Sequence, residues 1–69
     1  MAGEKFHKRL NQLIEREHMT RQDVAKATGL SMTTVRYFTL GERMPNAQTL
    51  CMLADFFHVT MDWLFGRVP

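Results

Sequence analysis

A single cysteine among 69 residues excludes an intrachain disulfide framework and fits a reducing compartment. Cys51 itself is expected to be a small buried apolar side chain. No apolar run approaches the roughly 20 residues that span a bilayer. The opening MAGEKFHKRL lacks the apolar centre of a signal peptide. Together these absences predict a soluble, cytoplasmic protein with no membrane contact. No segment alternates polar and apolar residues with a period of two, so no strand is expected, and no internal repeat or low-complexity tract is present. Signs of catalysis are missing too. His7, His18 and His58 are far apart, and none stands at metal-ligand spacing from Cys51. Asp55 and Asp62 flank a turn, and Asp62 is explained by the first turn of a helix, where a carboxylate favours the dipole. There is no nucleophile–base set, no carboxylate pair in a cleft and no glycine-rich phosphate loop. The expectation is a protein that is not an enzyme and takes no metal, cofactor or small-molecule ligand.

The charge is mild. Nine basic and seven acidic residues leave +2, which neither requires nor excludes a nucleic-acid partner. Its distribution says more. Residues 20–43 hold Arg21, Lys26, Arg36 and Arg43 against Asp23 and Glu42, whereas residues 44–69 hold Arg67 against Asp55 and Asp62.

What is present is helical from end to end, in a chain long enough for one small domain. Residues 1–69 are expected to form it, with helices at about 4–17, 21–28, 32–39, 47–57 and 61–65. In the first helix Phe6, Leu10, Leu13, Ile14 and Glu17 share a side at spacings of three and four, four of them apolar. Lys5, Lys8, Asn11, Gln12 and Glu15 take the other side. Thr20 is an N-cap with Asp23 three residues on, a variant of the capping box. Val24, Ala25 and Ala27 give the second helix a thin apolar face, and Gly29 ends it. Ser31 caps the third helix, which turns Val35 and Phe38 inward, with Leu30 just before it, and Met32, Thr33, Arg36 and Tyr37 outward until Gly41 stops it. After the turn Gly41–Pro45, Asn46 caps a fourth helix with Leu50, Leu53, Ala54 and Phe57 inward. Thr60 caps a last short helix that ends near Gly66.

Two short helices separated by three or four residues around a glycine, TRQDVAKATGLSMTTVRYF, make a helix-turn-helix. The steep crossing leaves the second helix standing proud, sized for a DNA major groove about 12 Å wide. The first then lies across the backbone with its N-terminal amides toward a phosphate.

The order and spacing of three stretches, LNQLIEREHMTRQDVAKATGLSMTTV, GERMPN and TLCMLADFFHVTMDWLFG, resemble the Cro/CI-type helix-turn-helix family of repressor domains. The resemblance runs from about Phe6 to Gly66. It implies an all-α, five-helix, lambda-repressor-like fold and sequence-specific binding to double-stranded DNA, usually in repression and usually as a dimer. It places the third helix as the recognition helix. Met32, Thr33, Arg36 and Tyr37 match the family's base-reading positions, and Thr20, Arg21, Thr34 and Arg43 match its phosphate-binding positions. Two departures stand out. Arg21 occupies a position where the family often has glutamine, and Thr39 and Ile14 replace a glutamate–arginine pair. Losing both partners is coherent, because one alone would strand a buried charge at about 3–5 kcal/mol.

The chemistry of the four reading positions differs. Met32 and Thr33 offer methyl groups to thymine, and Arg36 suits O6 and N7 of guanine. Tyr37 is placed to stack along sugar or bond a phosphate through its hydroxyl. The plainer alternatives are a phosphate contact for Arg36 and packing against the second helix for Met32.

The C-terminal third carries more apolar residues than one small core needs. Met52, Phe56, Met61, Trp63 and Phe65 are therefore the expected interface of a homodimer, which would set two recognition helices about 34 Å apart on a near-palindromic operator. The alternative is a core simply rich in Phe and Met. A rival function is a protein-interaction module, antitoxin-like or an adaptor, that uses the same apolar face.

Overall fold

The computed structural model describes residues 2–68, with side chains from residue 5. Among them are five helices and no strand: α1 (Ala2–Arg16), α2 (Arg21–Thr28), α3 (Met32–Leu40), α4 (Ala47–Phe57) and α5 (Met61–Phe65). The all-α, five-helix class implied by the sequence is the one observed.

The boundaries follow from local chemistry. Thr20 Oγ1 accepts from the Asp23 amide at 3.0 Å while Asp23 Oδ2 accepts from the Thr20 amide at 2.9 Å, so the capping box is complete. Ser31, Asn46 and Thr60 cap α3, α4 and α5 in the same sense, each accepting from the amide three residues on. Gly41 ends α3 at φ +76. Its amide bonds Phe38 O at 3.3 Å and the Glu42 amide bonds Tyr37 O at 2.9 Å, a Schellman motif. The third helix thus runs one residue beyond the expected Thr39. The first begins two residues before Glu4 and stops at Arg16, one short of Glu17.

Phe6, Leu10, Leu13 and Ile14 of α1 meet Val24 and Ala25, Val35 and Phe38, the Leu50, Leu53, Ala54 and Phe57 stripe, and Leu64 in one buried cluster. α1 packs on α3 and α5, while α2 packs on α3 and α4. Phe6 meets Phe38 edge-on, with ring centroids 5.9 Å apart and planes at 82°. Two arginines of α1 tie the C-terminal half down. Arg16 donates to Phe57 O at 3.2 Å. Arg9 donates to Trp63 O, and to Val68 O at 2.6 Å, with its guanidinium 4.8 Å from the Trp63 ring centre.

Three inward assignments are corrected. Cys51 is exposed, not buried. The inner stripe of α4 runs through residues 50, 53, 54 and 57, and position 51 is a step of about 100° off it. There the thiol donates to Asp55 Oδ2 at 3.8 Å. Ala27 is exposed because the inner face of α2 passes to half-buried Thr28, whose hydroxyl donates to Val24 O at 2.6 Å. Glu17 is exposed, because the helix has already ended and its carboxylate pairs with Arg16 Nε at 3.0 Å. At the position of the missing family ion pair, Ile14 and Thr39 are both buried. The Thr39 hydroxyl is satisfied inside its own helix, donating to Val35 O at 3.0 Å and Arg36 O at 3.1 Å.

The capping box makes a pH prediction. The hydrogen bond from the Thr20 backbone, then that from its side chain, holds the Asp23 carboxyl below its ordinary 3.8. A depressed carboxylate stabilises the fold above its unfolded pKa, and that share is lost as pH falls through the folded value. Asp23→Asn should therefore flatten the acid limb of stability only below about pH 4. Thermal unfolding of the two proteins between pH 2 and 6 checks this, and an equal difference at every pH would contradict it.

Candidate nucleic-acid interface

Gly29 to Ser31 joins α2 to α3. The Gly29 backbone N–H, at φ +79, donates to Ala25 O at 2.9 Å, so α2 stops sharply and α3 starts three residues after Gly29. Val35 and Phe38 lock one side of α3 into the core, and its other side is left to solvent. Met32, Thr33 and Arg36 are exposed, and Tyr37 is half-buried. Thr33, Arg36 and Tyr37 line one shallow depression of about 230 Å³ with Leu40 and Glu42.

Leu40 belongs to this surface and was not among the residues expected there. It is 49% exposed and stands four residues beyond Arg36, which stands four beyond Met32, so the three share a helical stripe. The signal was that spacing. Met44 in the following turn is also exposed at 40%. On a DNA-binding reading of this stripe, Leu40→Asp replaces exposed apolar surface with a negative charge and should weaken binding about tenfold or more without unfolding the domain. Parallel binding and melting curves test both halves of that statement.

The four expected phosphate contacts occupy three places. Thr20 and Arg21 are exposed at the start of α2. The Thr20 amide and the acceptor side of its hydroxyl are already used by the capping box, so the first-turn amides of Arg21 and Gln22 are the donors that remain. Thr34 is half-buried at the start of α3, where its hydroxyl accepts from Ser31 Oγ at 2.8 Å and its amide donates to the same oxygen at 3.1 Å. Arg43 lies beyond the end of α3, with its guanidinium 4.5 Å from the Tyr37 ring centre.

The apolar C-terminal set is neither fully exposed nor fully in the core. Met52, Phe56, Met61, Trp63 and Phe65 are all half-buried and pack against the core from outside. Phe56 stands edge-on to Phe57 at 4.9 Å, and Trp63 carries Arg9. Met61 and Phe65 line a second depression of about 220 Å³ with Leu50, Asp62 and Arg67. Among the described residues, no group of three or more His, Cys, Asp or Glu is placed to hold a metal ion. No helix there is long and apolar enough to cross a membrane.

A helix-turn-helix held in a five-helix bundle, with a solvent-facing second helix, defines a class of DNA-binding domain. Comparison with known proteins agrees: the helix-turn-helix family model matches residues 10–64. The chain belongs to this family, in its XRE branch. It is 36% identical over 59 residues to the HTH-type transcriptional regulator AnsR of Bacillus subtilis (strain 168), an alignment covering 86% of this chain and 51% of that protein. The chain thus spans about half the length of that relative. No solved structure matches it.

Proposed function

We propose that this domain is a transcriptional regulator that reads specific double-stranded DNA with α3 in the major groove. The observation that carries the reading is the stripe of Met32, Thr33, Arg36, Tyr37 and Leu40, presented on a helix whose opposite side is locked into the core. Met32 and Thr33 contact thymine methyls and Arg36 reads a guanine. Arg21, Thr20, Thr34 and Arg43 hold phosphate and set the register. The regulatory role is supported by the relative's being a helix-turn-helix transcriptional regulator. Its sign is repression, its place is the cytoplasm, and it has no catalytic activity of its own.

In this reading the working unit is a homodimer formed through Met52, Phe56, Met61, Trp63 and Phe65, on a near-palindromic operator with half-sites one DNA turn apart, roughly 34 Å. Sedimentation at micromolar concentration should give a mass near twice the 8.1 kDa of the chain, and Phe65→Glu should halve it. A strict monomer at that concentration would remove the dimer from the account.

Salt separates DNA binding from the use of the same face for a protein partner. Affinity for DNA should fall as salt rises, with a logarithmic slope near −0.9 for each phosphate contact. An apolar protein partner would be nearly indifferent to salt, so salt-independent association would favour an interaction module.

A further inference from the structure

We propose that Tyr37 is a positioning residue: its ring is a platform that pre-orders the Arg43 guanidinium for a DNA phosphate, and it does not itself read a base. This rests on the DNA-binding reading of α3 and replaces the base-reading role expected for Tyr37.

The geometry beyond α3 points to it. The turn is fixed from two directions. The Gly41 and Glu42 amides close on Phe38 O and Tyr37 O at 3.3 and 2.9 Å. From α1, Asn11 Nδ2 donates to Thr39 O at 2.8 Å. Gly41 lies so close to the same helix that a Cβ on it would stand 2.8 Å from His7 Nδ1, and its φ is +76. A turn held this tightly delivers Arg43 back over the helix it has just left, with its guanidinium 4.5 Å from the Tyr37 ring centre.

The chemistry follows from that placement. A guanidinium stacked on a ring is attracted through its face, while its N–H donors point outward in its own plane. Stacking therefore costs Arg43 none of the donors a phosphate needs. A long flexible side chain that is already ordered gives up less freedom on binding. The same stack covers the Tyr37 ring, which is itself half-buried, and leaves it poorly placed to meet a base edge. Tyr37 lines the depression with Thr33 and Arg36, so base reading stays with those neighbours. The hydroxyl has no part in the platform.

The test is a double-mutant cycle on DNA binding, using Tyr37→Leu, Arg43→Ala and the pair, with Tyr37→Phe and Tyr37→Trp as conservative variants. Tyr37→Leu should weaken binding about threefold on specific and random duplexes alike. Arg43→Ala should lower the salt slope by about one, and Tyr37→Leu should add nothing in its presence. Tyr37→Phe and Tyr37→Trp should bind as the wild type. A change of base preference in Tyr37→Leu, an undiminished effect in the Arg43→Ala background, or an equal loss in Tyr37→Phe would each overturn the proposal. An arm without DNA checks the stack itself. The Arg43 side-chain proton resonances should be shifted upfield by the ring in the free protein and return toward random-coil positions in Tyr37→Leu. Unshifted wild-type resonances would overturn the platform. Shifted resonances in a protein that binds no duplex would instead overturn the DNA reading and the phosphate role of Arg43 with it.

Discussion

Arg36→Ala is expected to relax base preference at one position of each bound half-site, removing about 1–3 kcal/mol of discrimination. Arg36 is exposed at the middle of the α3 stripe, between Met32 and Leu40, and no hydrogen bond or ion pair among the described residues engages its guanidinium. A planar fork in that position matches O6 and N7 of guanine, which a phosphate-only role would not require. Because the side chain is on the surface and holds nothing else in place, stability should change by no more than about 0.5 kcal/mol. The check is a set of titrations against a preferred duplex and its single-base variants. The mutant should lose affinity for the preferred base and keep it for the others. A uniform loss on all sequences, with the salt slope reduced by about one, would make Arg36 a phosphate contact instead.

Phe6→Ala is expected to cost about 3–5 kcal/mol of folding free energy. Phe6 is wholly buried and meets Phe38 edge-on. Its removal leaves a cavity and takes away an aromatic contact worth about 0.5–1.5 kcal/mol beyond area. A chain of about 60 residues buries only about 60% of its unfolded surface, so its stability is expected at the low end of the usual 5–15 kcal/mol. The mutant should be left with no more than about 2 kcal/mol of stability. Phe38, the ring's partner, lies on the inner side of α3, so the loss should reach DNA binding although Phe6 is on α1. Denaturant unfolding followed by circular dichroism measures it, with Phe6→Leu expected to fall between the mutant and the wild type. A cost under 1 kcal/mol for Phe6→Ala would mean that α1 does not brace α3 as described.

The helices were legible because their signals are local. Thr20 with Asp23, Ser31, Asn46 and Thr60 mark starts by a side chain that reaches three residues along, and Gly29, Gly41 and Gly66 mark ends by their tolerance of positive φ. The strict i, i+3, i+4 spacing of Phe6, Leu10, Leu13 and Ile14 made their burial readable in the same way. Short helices were less readable. Eight residues of α2 give too little periodicity to separate Ala27, which is exposed, from Val24 and Ala25, which are not. Composition misled at Cys51, whose residue type favours burial while its angular position on α4 does not. His18 and His58 take positive φ, 54 and 59, without being glycine, so residue type does not mark those two caps.

The candidate interface was legible as a stripe but not as an arrangement. Spacing put Met32, Thr33, Arg36 and Tyr37 on one side of α3, and the same spacing held Leu40, hidden by its place next to the helix end. That Arg43 turns back onto Tyr37 depends on the Schellman turn, on Asn11 reaching Thr39 O and on His7 under Gly41. The turn is local, but the other two are contacts between residues about 30 apart that no local pattern records. The Arg9 bond to Val68 O is of the same kind.

The measurement that tests the central claim most directly is selection from random duplex DNA at two salt concentrations. The account predicts enrichment of a near-palindrome whose half-sites are about ten base pairs apart, bound more weakly at the higher salt and lost in a protein whose α3 stripe is replaced by alanine. No enriched sequence, with only weak binding that vanishes at moderate salt, would contradict it.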